Sequence, residues 1–334
     1  MSTHIPPSDS RLSWPGAVSI QHADGWSAPW RIDHRHAILF PPEILRERVQ
    51  MPSGVRLSFR SDTLFIAGKL ADVASPDTSQ IDLVCDNGFM ASQPLAGHDS
   101  FRFDHLPPGD KQIELWLPQF GEFRLKELEL SDGAILSPVA DNRPKWVNYG
   151  SSISQCRTAE SPSQTWPAIV ARTLGLNLTN LGVGGQCHLD VMMARTIRDL
   201  PADLITLNLG INVQGGASMN ERTFRPAIIG FVMTIRDGHP DIPIIVRSPI
   251  ISPLREDTPN AAGFSLRQIR EEVALAVDAL QTHGDRNLYY VDGLEVFGED
   301  LAHLLPDDLH PNAEGYKVMG RNYAKIISRF WIRS

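Results

Sequence analysis

Four short polar segments of the sequence carry the residue types that acyl transfer requires. They are Gly150-Ser151-Ser152, Asn180-Leu-Gly-Val-Gly-Gly185, Gly210-Ile-Asn212 and Asp307-Asp-Leu-His310. A serine hydroxyl, an imidazole and a carboxylate can serve as a nucleophile, its base and the group that orients the base. Backbone N–H groups and an asparagine amide can bind the negative oxygen that develops on an attacked carbonyl. We therefore consider acyl transfer through a serine nucleophile first.

Ser152 is the candidate nucleophile, because it follows an apolar run that ends at a glycine. His310 is the candidate base, since Pro311 biases it away from helical angles and leaves the imidazole in a loop. Asp307 stands three residues earlier, a spacing at which a turn can bring its carboxylate to the far ring nitrogen. Asp308 is a competitor at a less favourable spacing. A capped helix start is the alternative interpretation of the whole Asp-Asp-Leu-His-Pro segment.

Three donors are expected to form the oxyanion hole: the backbone N–H of Ser152, the backbone N–H of Gly185 and the Asn212 side-chain amide. A glycine lets the backbone approach a substrate closely. The alternative for Gly182-x-Gly184-Gly185 is an ordinary tight turn, and for Asn212 a turn residue. A dinucleotide-binding loop is disfavoured because the full glycine fingerprint and its downstream acid are missing.

The elements that must position these residues follow from the second half of the chain. Apolar strand candidates alternate there with amphipathic helices, which predicts a parallel sheet covered on both faces. The three strand-end segments and the loop before the last helix can then converge at one edge of the sheet. The strand candidates are 146–149, 176–181, 204–209, 242–246 and 288–291.

The first half has a different pattern. Between about 31 and 136 apolar residues alternate with polar ones in short runs separated by Gly, Pro and Asn turns, which predicts an antiparallel β-sandwich, jelly-roll-like. A polar segment with two prolines, 137–144, marks the boundary. We predict an accessory sandwich domain over 1–140 and a catalytic domain over 145–334.

Composition and net charge disfavour several classes of partner and cellular setting. The 334 residues carry a net charge of −8 with no marked Lys/Arg cluster, which disfavours nucleic-acid and anionic-membrane partners. No signal peptide or membrane span is visible. Three cysteines without zinc-ligand spacing indicate a reducing, cytoplasmic setting and no structural metal. We expect a small-molecule ester as partner and no cofactor, and the oligomeric state is left open.

With these residues assembled, residues 146–330 resemble the SGNH hydrolases, the GDSL-type lipases and esterases. Tyr149–Ser154 is similar to the first block, and the other three segments to the glycine, asparagine and final blocks. The resemblance implies a flavodoxin-like sheet, a triad of Ser152, His310 and Asp307, and no metal. Ser151 stands where the family usually has Asp, so a charge beside the nucleophile is lost.

The first half is similar to the β-sandwich that precedes this catalytic domain in a subgroup containing a tetracycline-tailoring acyltransferase. The similarity lies in Ala28-Pro-Trp-Arg31, Phe40-Pro-Pro42 and the segment 51–59. The loop 248–256 fits the same subgroup and is expected near the acyl pocket.

Three functions are weighed. The first is an esterase that hydrolyses a small acyl ester of a sugar or natural product, and the second is an acyltransferase to a hydroxyl other than water. The third is carbohydrate binding through the sandwich, with Trp14, Trp26 and Trp30 as a platform; packing is their more ordinary role. A cysteine mechanism through Cys156 or Cys187, and His188 as the base, are disfavoured alternatives; His188 is expected at a helix start.

Overall fold

The computed structural model describes residues 2–331, and the chain divides into two compact units. The first unit runs to Arg143 and also takes in Glu160–Gln164 and Asn177–Asn180. The second comprises the remainder of the chain from Pro144 onward. Each unit has its own architecture.

The first unit is built from antiparallel strands in two sheets. One sheet has the order β2-β3-β10-β5-β8 with β1 paired to β10, and the other has the order β11-β4-β9-β6-β7. The strands in chain order are β1 (Ser2–Ile5), β2 (Ser19–Ala23), β3 (Trp26–Trp30), β4 (Arg56–Ser61), β5 (Ile66–Leu70), β6 (Ile81–Cys85), β7 (Gly88–Gln93), β8 (Ser100–Phe103), β9 (Lys111–Trp116), β10 (Leu125–Ser131) and β11 (Leu136–Ser137).

Side chains from both sheets meet in a single hydrophobic core. Leu57 and Leu115 of one sheet belong to the same buried cluster as Ile66 and Leu128 of the other. Such burial of one face of each sheet is what period-two alternation predicts. The predicted antiparallel sandwich is therefore confirmed.

The first 50 residues differ from the expectation. The first 30 residues lack a clear period, yet they contribute β1 to β3, which pair with each other or with β10. Most side chains of β1 and β2 are only partly buried, and β3 buries three residues in a row, so none of the three strands shows alternation. A 3₁₀ helix (His34–Leu39) and α1 (Glu43–Gln50) follow in a stretch assigned to strands. Only Leu45 and Val49 of α1 are buried, which is too few for a visible helical period.

From Pro144 onward the chain forms a five-stranded parallel sheet and the helices that follow its strands. Nearly all of this region is the second unit, but the turn Pro162–Gln164 and residues Asn177–Asn180 of one strand are grouped with the first. The strands are β12 (Lys145–Gly150), β13 (Asn177–Gly182), β14 (Leu204–Asn208), β15 (Ile244–Arg247) and β16 (Leu288–Val291). The helices are α2 (Ser152–Gln155), α3 (Trp166–Leu174), α4 (Val191–Asp199), α5 (Ile211–Gly216), α6 (Phe224–Arg236), α7 (Leu266–Thr282), α8 (Gly293–Val296) and α9 (Ala313–Phe330). Short 3₁₀ turns occur at Pro162–Gln164, Pro253–Arg255 and Glu299–Leu304.

The sheet order is β13-β12-β14-β15-β16. Numbered from the first strand of this sheet, that order is 2-1-3-4-5, the flavodoxin-like topology, and the predicted fold class is confirmed. In such a sheet the connections leave the first and third strands in opposite directions and open a crevice beyond their carboxyl ends. The turn after β12 lies at that crevice.

The helices fall into two packing groups. α3 packs on α9, whereas α6 packs on α4 and on α7. Local sequence defines several of their starts: Thr165 caps α3, and Ser265 with Gln268 forms a capping box at α7. Among residues 2–331 no helix is both long and apolar enough to cross a membrane.

Candidate active site

The turn after β12 brings Ser152 to the start of α2. Ser151 is extended, and its Oγ accepts a hydrogen bond from the Ile153 N–H at 3.2 Å, so it caps the helix. The preceding Gly150 is needed for close packing, because a Cβ there would lie 2.3 Å from Ser154 Oγ. The hydroxyl of Ser152 is thus presented at the carboxyl edge of the sheet.

Ser152, His310 and Asp307 form one chain of hydrogen bonds. Ser152 Oγ lies 2.8 Å from His310 Nε2, and His310 Nδ1 lies 2.6 Å from Asp307 Oδ2. An ionised carboxylate only accepts, so Nδ1 carries the ring proton and Nε2 accepts from the serine hydroxyl. This is the arrangement in which an imidazole can take the serine proton.

Asp307 is held by more than the imidazole. Its Oδ1 accepts from the backbone N–H of His310 at 2.7 Å and of Leu309 at 3.1 Å. Partial burial raises the pKa of this carboxyl, but the hydrogen bonds from the His310 ring and from the two backbone N–H groups together outweigh it. The net pKa is below its ordinary value of 3.8. The carboxylate is therefore ionised throughout the neutral range.

Neighbouring side chains hold the loop that carries His310. Thr158 Oγ1 donates to the Pro311 carbonyl at 2.9 Å, and Ser252 Oγ donates to the Asp308 carbonyl at 2.7 Å. Asn312 then caps α9 by accepting from the Gly315 N–H at 2.9 Å. The roles of Thr158 and Ser252 could not be predicted from the sequence, since a hydroxyl that bonds a distant carbonyl leaves no local pattern. The loop 248–256 supplies Ser252.

The three expected oxyanion donors come from neighbouring strands. Ser152 follows β12, Gly185 follows β13 and Asn212 follows β14, and β12 lies between the other two. Three donors have no acceptor in the described part of the chain: the backbone N–H of Ser152, the backbone N–H of Gly185 and the side-chain Nδ2 group of Asn212. Gly185 has φ +72°, and nothing lies within 4 Å of where its Cβ would be. These donors are open to a bound group.

One side chain and one backbone group orient two of these donors. Gln155 Oε1 accepts from the Gly184 N–H at 2.7 Å, which holds the loop one residue before Gly185. Asn212 Oδ1 accepts from the Cys187 N–H at 3.0 Å. Because its oxygen is occupied, the amide of Asn212 presents its NH₂ group as the free end. Gln155 carried no signal in the sequence beyond its place three residues after Ser152.

Asp308 and His188, the alternative acid and base, are held in other ways. The Asp308 carbonyl binds Ser252, whereas the ring of His310 binds Asp307. The expectation that His188 starts a helix is wrong, because α4 begins at Val191. Among residues 2–331 no group of three or more His, Cys, Asp or Glu side chains is arranged to hold a metal ion.

The three tryptophans of the glycan-platform alternative all have partners within the first unit. Trp14 packs against the sandwich core, and the Arg124 guanidinium lies 5.3 Å from the Trp26 ring centre. Trp30 Nε1 donates to Gln21 Oε1 at 3.0 Å. These contacts fit the packing interpretation.

The cysteines are buried free thiols. Burial raises the pKa of the Cys187 thiol to about 12 and that of Cys156 well above its usual value. Because the thiolate is the reactive form, we expect native protein treated with iodoacetamide near pH 8 to gain no mass at either residue. Protein unfolded in guanidinium should be alkylated at all three cysteines, Cys85 included. Modification of native Cys156 or Cys187 at the rate of a free thiol would contradict this.

A 2-1-3-4-5 parallel sheet, a serine after its first strand and an Asp-x-x-His segment before its last helix define an SGNH hydrolase fold. Residues 149–318 match the model of the GDSL-like lipase/acylhydrolase family, and the chain belongs to that family. Residues 12–126 match the model of the SsfX3 N-terminal domain. The resemblance seen in the sequence is confirmed in both halves.

Solved structures agree with this assignment. The salicylyl-acyltransferase SsfX3 from a tetracycline biosynthetic pathway is 35% identical, with a TM-score of 0.91 over 98% of this chain and 97% of that one. A GDSL-like protein from Bacteroides ovatus is 23% identical, with a TM-score of 0.80 over 99% and 98%. A family two carbohydrate esterase from Cellvibrio japonicus shares the fold at 16% identity and a TM-score of 0.67 over 99% and 98%. No curated protein matches the chain.

Proposed function

We propose that this protein is a serine esterase that hydrolyses a small acyl ester of a sugar or natural product. The observation that carries the proposal is the hydrogen-bond chain from Ser152 Oγ through His310 to Asp307. Family membership gives the ester-hydrolase class, and the named residues supply its chemistry. Neither step below needs a cofactor.

In the first step the Ser152 oxygen forms a bond to the ester carbonyl carbon while His310 Nε2 takes the hydroxyl proton. The carbonyl oxygen becomes an anion, which the N–H groups of Ser152 and Gly185 and the Asn212 amide can bind. When the tetrahedral intermediate collapses, the alcohol leaves and takes the proton from His310. The acyl group remains on the serine.

In the second step a water molecule takes the place of the alcohol. His310 removes a proton from the water as the oxygen attacks the acyl carbon, and the same donors bind the second oxyanion. Collapse breaks the bond to Ser152 Oγ and returns the proton to that oxygen. The products are a carboxylic acid and the restored serine.

Acyl transfer to a hydroxyl other than water is the second candidate. It is favoured by the 35% identity to a salicylyl-acyltransferase over nearly the whole chain. The chemistry differs only in which hydroxyl enters the second step, and exclusion of water from the site decides the outcome. Product analysis with a polyhydroxylated aromatic acceptor present separates the two, since hydrolysis gives free acid and transfer gives a new ester.

Covalent labelling tests the shared nucleophile. A fluorophosphonate should add one phosphonyl group to wild type, and peptide mass mapping should place it on Ser152. Ser152→Ala should take up no label, while Ser151→Ala, the adjacent serine, should still be labelled. A label elsewhere, or equal labelling of Ser152→Ala, would refute the proposed mechanism.

The proposed setting is the cytoplasm. Cys85, Cys156 and Cys187 are all free thiols. Sparse unpaired cysteines are typical of proteins from reducing compartments. A small-molecule ester is the proposed partner.

A further inference from the structure

His188 is a polar side chain near the candidate site that has no role in the two chemical steps. It lies in the loop between β13 and α4, three residues after Gly185, and it is half-buried. Its Nε2 lies 3.1 Å from the Gly185 carbonyl oxygen, and its Nδ1 lies 2.8 Å from Ser218 Oγ. Both ring nitrogens are therefore occupied by groups on different loops.

These partners determine where the ring proton sits. A carbonyl oxygen only accepts, so the Nε2–H donates to Gly185. In the neutral imidazole Nδ1 then accepts from the Ser218 hydroxyl. The ring thus connects a residue that supplies one oxyanion donor to the loop that follows α5, and α5 carries Asn212 in its first turn.

The surrounding structure accommodates this connection. A Cβ at Gly216, the last residue of α5, would lie 3.2 Å from His188 Cε1, so the glycine leaves room for the imidazole. The residue before His188 makes a second connection at the other end of α5, because the Cys187 N–H donates to Asn212 Oδ1. Two adjacent residues of one loop therefore hold both sides of α5: Cys187 bonds Asn212 in its first turn, and His188 bonds Ser218 just after its last residue.

The Gly185 peptide is constrained at both ends by these contacts. Its carbonyl accepts from His188 and also from Gln186 Nε2 at 2.9 Å, and the Gly184 N–H before it is bound by Gln155. Gly185 has a positive φ, a conformation that glycine adopts without strain but does not prefer strongly. Bonds to its carbonyl therefore help to hold the direction of its N–H.

We propose that His188 is a positioning residue that sets the separation between two of the oxyanion donors, Gly185 on its loop and Asn212 at the start of α5. The inference rests on the proposed function, because it concerns the oxyanion of that reaction. An interaction made only in the transition state changes kcat, while KM is unaffected. Loss of the connection should therefore appear in kcat.

The test compares His188→Leu with His188→Gln on p-nitrophenyl acetate. Leucine fills similar space without hydrogen bonds, whereas glutamine keeps a donor for Gly185 and an acceptor for Ser218. We expect His188→Leu to lower kcat about 10- to 100-fold. A misplaced donor stabilises the oxyanion less than a well-placed one, and complete removal of a donor lowers kcat by about 10²- to 10³-fold. KM should stay within about twofold, and His188→Gln should recover most of the rate. Ser218→Ala, a milder change at the other end, should lower kcat in the same direction.

A double mutant separates positioning from a general effect on folding. In an Asn212→Ala background the effect of His188→Leu should shrink, because residues that act through one another are not additive. An unchanged kcat in His188→Leu, an effect on KM alone, or an undiminished effect in the Asn212→Ala background would overturn the inference. If His188→Leu fails to fold, an unchanged kcat in Ser218→Ala would overturn the inference.

Ser152→Ala assayed alongside separates a failure of the proposed esterase function from a failure of the proposed role of His188. If Ser152→Ala loses activity while His188→Leu keeps the wild-type kcat, the esterase proposal stands and the role of His188 is refuted. If Ser152→Ala hydrolyses the ester as fast as wild type, the proposed function is wrong and the inference falls with it.

Discussion

Ser152→Ala is expected to lower kcat for p-nitrophenyl acetate by about 10⁵-fold or more, and His310→Ala by a similar factor. The two groups act as a unit, since the 2.8 Å contact between Ser152 Oγ and His310 Nε2 is where the proton moves. The double mutant should therefore be no slower than either single mutant. Steady-state kinetics of the three variants and wild type measure this.

Ser151→Ala is the matched control for that experiment. It removes a hydroxyl from the adjacent residue, where the oxygen accepts from the Ile153 N–H and caps α2. We expect a stability loss of about 1 kcal/mol, typical of a lost N-cap, and less than a tenfold change in kcat. Additive losses in the double mutant, or a Ser151→Ala loss equal to that of Ser152→Ala, would contradict the assignment of Ser152 as nucleophile.

Asp307→Asn is expected to lower kcat by about 10⁴-fold, through the tautomer of His310. Two backbone N–H groups already donate to Oδ1 of Asp307, so the oxygen of an amide would take that position. Its NH₂ group would then face Nδ1 of His310 and require that nitrogen to accept. The ring proton would move to Nε2, which could no longer take a proton from Ser152.

Asp308→Asn is the matched control, because it makes the same chemical change one residue away. Asp308 has φ +57°, a left-handed conformation that asparagine tolerates as well as aspartate does. Among residues 2–331, the hydrogen bond that connects Asp308 to the loop 248–256 uses its backbone carbonyl and not its side chain. We expect kcat within about threefold of wild type. Similar losses in both variants would refute the tautomer argument.

The pH dependence of stability adds a check with a definite sign. Because the folded-state pKa of Asp307 is below 3.8, the stability that its ionised carboxylate contributes is fully present above that value and is lost as the pH falls through the folded pKa. The difference in the free energy of unfolding between wild type and Asp307→Asn should therefore persist undiminished from about pH 9 down to about pH 6. A difference that disappears toward pH 6 would show that Asp307 is not ionised in the folded wild type.

Much of the fold was accessible from the sequence because it depends on local periodicity. The apolar runs near 146–149 and 204–209 coincide with β12 and β14, and the α7 face recurs at the spacing of a buried helix. β1 and β2 were missed because most of their side chains are only partly buried, and the β1 partner, β10, lies more than 100 residues away. β3 buries three consecutive residues and therefore shows no alternation either.

The candidate site likewise has a part that local spacing indicates and a part that only the fold brings together. Asp307 and His310 are three residues apart, so a single turn brings them together and the spacing alone indicates it. Ser152 and His310 are 158 residues apart, and the sequence supplied only their chemistry and their places at strand and loop ends. The parallel sheet brings them within 2.8 Å.

The sequence by itself determined which groups can do the chemistry, since nucleophile, base and acid are distinct residue types with few substitutes. Only the tertiary structure decided how these groups are held: Gln155 on the glycine loop, Thr158 and Ser252 on the base loop, and His188 between Gly185 and Ser218. Apart from the bond between His188 and Ser218, which joins two side chains, each of these bonds joins a common polar side chain to a backbone carbonyl or N–H group. Such a pairing has no signature in composition or spacing and exists only once the chain has folded.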